Sequence, residues 1–251
     1  MKALIYEAPE TLGFRDVPLP QPNAGEQLIR IGAVGICGSD MHAYLGHDNR
    51  RPAPLILGHE GAGEIIGGAR DGERVTINPL VTCGTCHACR TGRENLCPTR
   101  QIISMPPREG AFAQYVTMPQ SNLVSIPDGV DLDKAALAEP LAVSWHAVRL
   151  GLAALHPDAE RHALVIGGGA IGLGAALALS AMGVHDVTIA EPNAARRSFL
   201  ADVCGQKTVD TAQGQFGLVV DAVGYAATRG LASAHTLPGG VVLHIGLGED
   251  T

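Results

Sequence analysis

The chain has 251 residues and 18 Lys and Arg against 25 Asp and Glu, a formal net charge of −7. Hydrophobic residues make up 46% and charged residues 17%, the balance of a chain that buries a core and not of a disordered one. No Lys- or Arg-rich block is present, so the cationic surface that a phosphate backbone requires is missing and no nucleic-acid partner is expected.

The N-terminus meets Glu7 before any long apolar run develops, which does not read as a signal peptide. Short apolar stretches at residues 3–6, 27–33, 63–66, 74–77, 113–117 and 122–126 are separated by Pro- and Gly-containing turns and predict strands. Pro18, Pro20 and Pro22 make one extended connector; Pro52 and Pro54 make another. The pattern suits an antiparallel, barrel-like domain with functional loops. Residues 133–155 then carry Ala, Leu, Val and Trp at helical spacing, and Pro157 marks the end. Beyond it come strand 163–166, helix 171–182, strand 187–190 and helix 194–203, followed by weaker strands at 208–209, 218–221 and 241–245. Such alternation predicts a parallel sheet covered on both faces, hence an α/β chain of two domains, 1–148 and 149–251. A doubly wound dinucleotide domain has a sixth strand. Only residues 246–251 follow the fifth one, so the domain reads as truncated. Residues 163–184 carry no charge and are long enough to span a bilayer. Their strand-like opening and three glycines read instead as strand, phosphate loop and buried helix, and no membrane partner is expected.

Cys83, Cys86, Cys89 and Cys97 are spaced Cys-x2-Cys-x2-Cys-x7-Cys. Four thiolates close a tetrahedral shell around zinc, and Gly84 and Gly92 permit the turns that wrap a short loop around it. An iron–sulfur cluster also uses four cysteines. Free or oxidised thiols are a further alternative, though Cys-x2-Cys neighbours are poorly placed for structural disulfides. A fully ligated zinc has no open position, so this cluster reads as structural. A catalytic zinc needs three protein ligands and a vacancy, and Cys37, His59 and a glutamate supply that set. Taken singly, each has a plainer account: a buried thiol, a loop histidine, capping or surface acids at Glu60 and Glu139. Cys204 reads as a small buried hydrophobe, and His87, His146, His162, His185, His235 and His244 have no motif behind them.

Gly167, Gly169 and Gly172 fit Gly-x-Gly-x-x-Gly between a strand and a helix, the context in which that fingerprint cradles a pyrophosphate at a helix N-terminus. Ile171 lies within it. Glu191 ends the next strand, where a carboxylate accepts from a ribose 2′-hydroxyl and repels a 2′-phosphate, favouring NAD. Arg196 and Arg197 pull toward NADP. Asp221, Ala222, Val223 and Gly224, and then Ile245, Gly246 and Leu247, end later strands and would line the adenine and nicotinamide portions.

In order and separation, the stretches around Cys37, His59-Glu60 and Glu139-Pro140-Leu141, with the four-cysteine loop between the last two, resemble the zinc-containing medium-chain dehydrogenases. The polyol (sorbitol-type) branch is the nearest in pattern. The resemblance implies an N-terminal GroES-like, β-barrel-type domain and a Rossmann NAD-binding domain, with two zincs per chain, one catalytic and one structural. It makes Cys37 and His59 catalytic zinc ligands and Glu60 and Glu139 the acids of that site; which one binds directly the sequence leaves open. Asp40 would bond His59 and fix its tautomer. Ser39 would take the substrate proton and His42 would deliver it to solvent by way of the cofactor ribose. Arg196 would flank the adenosine. The implied reaction is hydride transfer from a secondary alcohol, a polyol or sugar alcohol, to NAD in a cleft between the domains, by a cytoplasmic homo-oligomer, dimer or tetramer. Two alternatives stand beside it: a threonine-type or diol dehydrogenase of the same fold, and a non-catalytic zinc- and nucleotide-binding fragment.

Overall fold

Strand-forming stretches separated by Pro and Gly fold as antiparallel pairs in the first half of the chain. The computed structural model describes residues 1–248. In chain order the first half holds β1 Lys2–Ala8, β2 Thr11–Asp16, β3 Glu26–Gly35, α1 Gly38–Tyr44, β4 Leu55–Ile56, β5 Glu60–Ile66, β6 Arg74–Ile77, β7 Leu80–Val81 and α2 His87–Arg90, then β8 Gln101–Ile102, β9 Tyr115–Pro119, β10 Leu123–Ser125 and α3 Leu132–Ala135. One sheet runs β10-β6-β5-β3-β9 and another β2-β1-β4, with β7 pairing β8. The inward residues Ile29, Ile65, Val75, Ile77, Ile103, Val116 and Met118 are at most 5% exposed and form the core of this unit. Each such side chain taken from water contributes about 1.5–3 kcal/mol.

Helix α1 was not foreseen, because seven residues that include Gly38 and Ser39 show no apolar period. Local hydrogen bonding explains it. Asp40, in the first turn, accepts from the backbone N–H of Cys37 at 2.9 Å, and an acid there suits the positive end of a helix.

The second half begins with α4 Ala138–Ala154 and continues through β11 His162–Ile166, α5 Ala170–Ala181, β12 Asp186–Ala190, α6 Ala194–Asp202, β13 Lys207–Val209, β14 Phe216–Asp221, α7 Ala226–Ala234 and β15 Thr236–His244. Among the described residues its sheet has five parallel strands in the order β13-β12-β11-β14-β15, matching the first five of a doubly wound dinucleotide fold. Alternate residues of β11 face opposite ways. Ala163 and Val165 pack with Val148 of α4 and Leu179 of α5, while Leu164 and Ile166 pack with Ala232 of α7. Helices therefore cover both faces, as the apolar strands require.

Four expectations change in detail. The chain divides into compact units between Glu139 and Pro140, not at 148/149. The reason is α4, whose Ser144 hydroxyl donates to the carbonyl of Ile171 and whose Gly151 faces Leu243, so the helix packs with the second unit. The helix expected over 133–155 is two, α3 and α4. The last strand starts five residues early, at Thr236, and the segment with Pro238, Gly239 and Gly240 loops out where the register shifts. Helix α7 has no counterpart among the expected elements, because its Ala- and Ser-rich sequence carries little periodic signal. In addition, the crossover from β13 to β14 is made by residues 210–215 alone, half the length such connections usually need. No helix among the described residues is long and apolar enough to cross a membrane; the uncharged run is β11, a loop and the twelve-residue α5.

Candidate active site

The four cysteines of the loop converge. Their Sγ atoms all lie within 4.8 Å of one another, with separations of 3.4 Å for Cys86–Cys89, 3.6 Å for Cys83–Cys97 and 3.9 Å for Cys83–Cys89. A tetrahedron with Zn–S bonds of about 2.3 Å has edges of about 3.8 Å, so this set fits one ion. Sulfurs around a multi-iron cluster stand wider apart. Gly84 and Gly92 both take positive φ, 69° and 70°, at the turns that close the loop. The backbone N–H groups of Thr85 and Cys86 lower the Cys83 thiol to about 5, while burial and the Cys86 thiol raise Cys89 to about 11. Cys97→Ser is expected to cost one metal ion per chain and to lower the melting temperature by roughly 5–10 °C. Metal analysis and thermal unfolding check this, with Cys204→Ser, outside the loop, leaving metal content unchanged.

A second group forms where β3 ends and β5 begins. These strands are antiparallel neighbours, and Gly35 pairs with Glu60, which brings Cys37, two residues on, beside His59 and Glu60. Ligand atoms of Cys37, His59 and Glu60 lie within 4.8 Å of one another, and His59 and Glu60 are 7% and 6% exposed. A Cβ on Gly35 would overlap the Glu60 carboxylate as it is placed here. Asp40 (3% exposed) accepts from the N–H groups of Cys37 at 2.9 Å and Gly58 at 3.2 Å, which ties α1 to the loop before β5. Its Oδ1 stands 3.6 Å from His59 Nδ1, an ion-pair distance, and Nδ1 has no other partner among the described residues.

Burial and neighbouring charge shift four groups at this site. Burial alone would depress His59, but the Asp40 carboxylate and the Cys37 sulfur beside it raise it to about 10. Burial would raise Asp40 too, yet His59 and the two backbone donors hold it below the usual carboxylate range. Burial wins for Glu60 and for half-buried Glu139, and both are pushed up. Glu139 feels the charges of His59, Glu60 and Asp40 but is not among the three clustered ligands. Thiol, imidazole and carboxylate donors around one point are a zinc-type set. Ser39 and His42 are half-buried on α1, three residues apart and so adjacent on its surface.

In the second unit, the nucleotide-type residues gather at the carboxyl edge of the parallel sheet. Gly167 turns at φ 92°, with Val223 packed where its side chain would be. A Cβ on Gly172 would overlap the Gly167 carbonyl, whereas one on Gly169 meets nothing within 4 Å. Ile171 lies in the first turn of α5, and its carbonyl accepts from Ser144. Glu191 (3% exposed) accepts from Gly168 N–H at 2.9 Å, Asn193 N–H at 2.8 Å and Arg196 at 3.1 Å. Burial opposes its charge, but these donors keep its pKa lowered. Arg197 donates to the carbonyls of Glu191 and Pro192. Gly224 is buried, and its N–H donates to Asp221. Sequence reasoning named the stretch with Asp221 but missed its bond to His244, 23 residues away, for which no local motif exists.

Residues 23–128 match the alcohol dehydrogenase GroES-like domain. The chain is 36% identical to L-galactonate-5-dehydrogenase of Escherichia coli K12 over 98% of its own length and 76% of that protein's. It is 40% identical to sorbitol dehydrogenase of Bacillus subtilis 168, over 76% of this chain and 56% of that one. A zinc-binding dehydrogenase from Sinorhizobium meliloti 1021, solved bound to NADP, superposes with a TM-score of 0.88 at 30% identity, covering 100% of this chain and 78% of the other. A zinc-type alcohol dehydrogenase-like protein of Haemophilus influenzae is 34% identical over 75% of this chain, and a dehydrogenase from Escherichia coli CFT073 solved with NADH superposes with a TM-score of 0.88 at 29% identity. By these matches the chain belongs to the zinc-containing medium-chain alcohol and polyol dehydrogenase family, oxidoreductases that act on CH–OH groups with zinc and NAD.

Proposed function

We propose that the chain carries out NAD-linked oxidation of a secondary alcohol in a polyol or sugar-acid substrate to the ketone, reversibly. The observation that carries this reading is the grouping of half-buried Cys37 with buried His59 and Glu60, and Asp40 at His59 Nδ1. Cys37, His59 and Glu60 would hold the catalytic zinc, and Cys83, Cys86, Cys89 and Cys97 the structural one. When bound, the catalytic metal supplies Lewis acidity toward the hydroxyl and the nicotinamide supplies the two-electron acceptor.

The rest is done by the chain's own groups. Asp40 faces Nδ1 of His59, fixing the tautomer that leaves Nε2 for the metal. Glu139 adds negative charge near the ligands from α4. Ser39 accepts the substrate proton, and His42, one turn along the same face of α1, passes it to solvent. Gly167, Gly169 and Gly172 leave room for the pyrophosphate at the start of α5. Glu191 receives the ribose hydroxyls, with Arg196 held against it. The cluster thiols must stay reduced to bind metal, which fits a reducing compartment such as the cytoplasm.

Zinc-replete chain assayed for NAD reduction against polyols, sugar acids, threonine and simple diols tests the reading. Highest kcat/KM on a polyol or sugar acid supports it; preference for threonine or a diol moves the substrate class. No NAD reduction with any of them overturns it. Glu191→Ala is expected to weaken NAD binding roughly tenfold and to erase preference over NADP, since the repelling carboxylate is gone and Arg196 is freed. Comparing kcat/KM for the two nucleotides checks it.

A further inference from the structure

We propose that His244 is a positioning residue of the nucleotide site, acting through Asp221; the inference rests on the dinucleotide reading above. Asp221 ends β14 with no exposed surface. Its Oδ1 accepts from the N–H groups of Val223 at 3.0 Å and Gly224 at 2.9 Å, which fixes the turn that follows the strand. Its Oδ2 is met at 3.3 Å by Nδ1 of His244, its register partner and the last residue of β15. A carboxylate only accepts, so Nδ1 carries the proton. The backbone carbonyl of Asp221 also accepts from Ile245 at 2.9 Å and Gly246 at 3.0 Å. One residue thus ties together the two turns that leave the carboxyl edge of the sheet, and His244 supplies its only side-chain donor among the described residues.

Those turns touch backbone to backbone. A Cβ on Gly224 would overlap the Gly246 carbonyl, and one on Gly246 would overlap the backbone of Val223. Val223 in turn fills the space beside Gly167, the first glycine of the phosphate loop. A shift of the turn at residues 222–224 is therefore felt where the pyrophosphate binds. The His244 side chain is 42% exposed, so it contributes little to the core; what it contributes is the bond to a buried carboxylate. Hydrogen bonds to charged groups are among the stronger ones, and leaving such a group short of a donor is costly. Without the imidazole the turn loosens, and the nucleotide must order it on binding.

Titrating NADH by fluorescence into the zinc-loaded chain, as the unaltered protein, His244→Ala and His244→Asn, tests this. The Asn amide can take the place of Nδ1–H. The Ala variant is expected to raise Kd about tenfold, or about 1.4 kcal/mol, and the Asn variant to stay within about twofold of the unaltered chain. KM for the nucleotide should follow Kd, with kcat at saturating nucleotide and zinc content unchanged. Equal Kd in Ala and unaltered protein overturns the inference, as does equal weakening in Ala and Asn. A parallel fall in kcat and zinc content also overturns it, since that marks general loss of structure. Failure of the unaltered chain to bind NADH overturns the nucleotide reading itself.

Discussion

Cys37→Ala is expected to bind one zinc per chain in place of two and to lose alcohol oxidation by about a thousandfold or more. The size follows from the site. Cys37 is the softest donor of its three-residue group, and its removal leaves an imidazole and a carboxylate, too few to hold a catalytic ion. Lewis acidity toward the hydroxyl amounts to several kcal/mol of transition-state stabilisation, and about 4 kcal/mol corresponds to a thousandfold in rate. The four-cysteine loop has its own closed ligand set, so its ion should remain. Metal analysis by mass, paired with steady-state kinetics and circular dichroism, reads all three quantities. One zinc in both proteins, or two in both, rejects the assignment of Cys37.

The second large effect is a contrast between two glycines of one loop. Gly172→Ala is expected to weaken NADH binding about a hundredfold, roughly 2.7 kcal/mol, and to lower stability as well. Its Cβ would overlap the backbone carbonyl of Gly167, which cannot rotate away, so α5 must move off β11. The Cβ of Gly169→Ala meets no packed neighbour within 4 Å among the described residues and should leave the melting temperature alone. It should nonetheless weaken NADH, because the space it fills is the space the pyrophosphate needs. Fluorescence titration and thermal unfolding of the two variants check the contrast. Equal stability loss in both, or unchanged NADH affinity in Gly169→Ala, would reject the pyrophosphate assignment.

Much of this is legible in the amino-acid sequence because the signals are local. The spacing of Cys83, Cys86, Cys89 and Cys97 fixes how a short loop can fold round one ion, and their sulfurs do converge. Gly167, Gly169 and Gly172 sit between a strand and a helix, and Glu191 ends the next strand, so β11, α5 and β12 were drawn to within a residue at most ends. Signals were weaker where elements are short or their residues small. Helix α1 depends on a hydrogen bond from Cys37 to Asp40, and α7 on packing that buries Ala232.

Composition, spacing and alternation by themselves determined the two-part α/β plan, the metal-type loop and the nucleotide-type turn, because each arises from residues close in sequence. Tertiary structure alone decided which acid stands with Cys37 and His59. Pairing of β3 with β5 puts Glu60 there, while Glu139 stays outside the cluster. It also decided that α4 packs with the second unit and that His244 meets Asp221. Strand register and helix packing are set by the whole core, and no window of sequence holds that information.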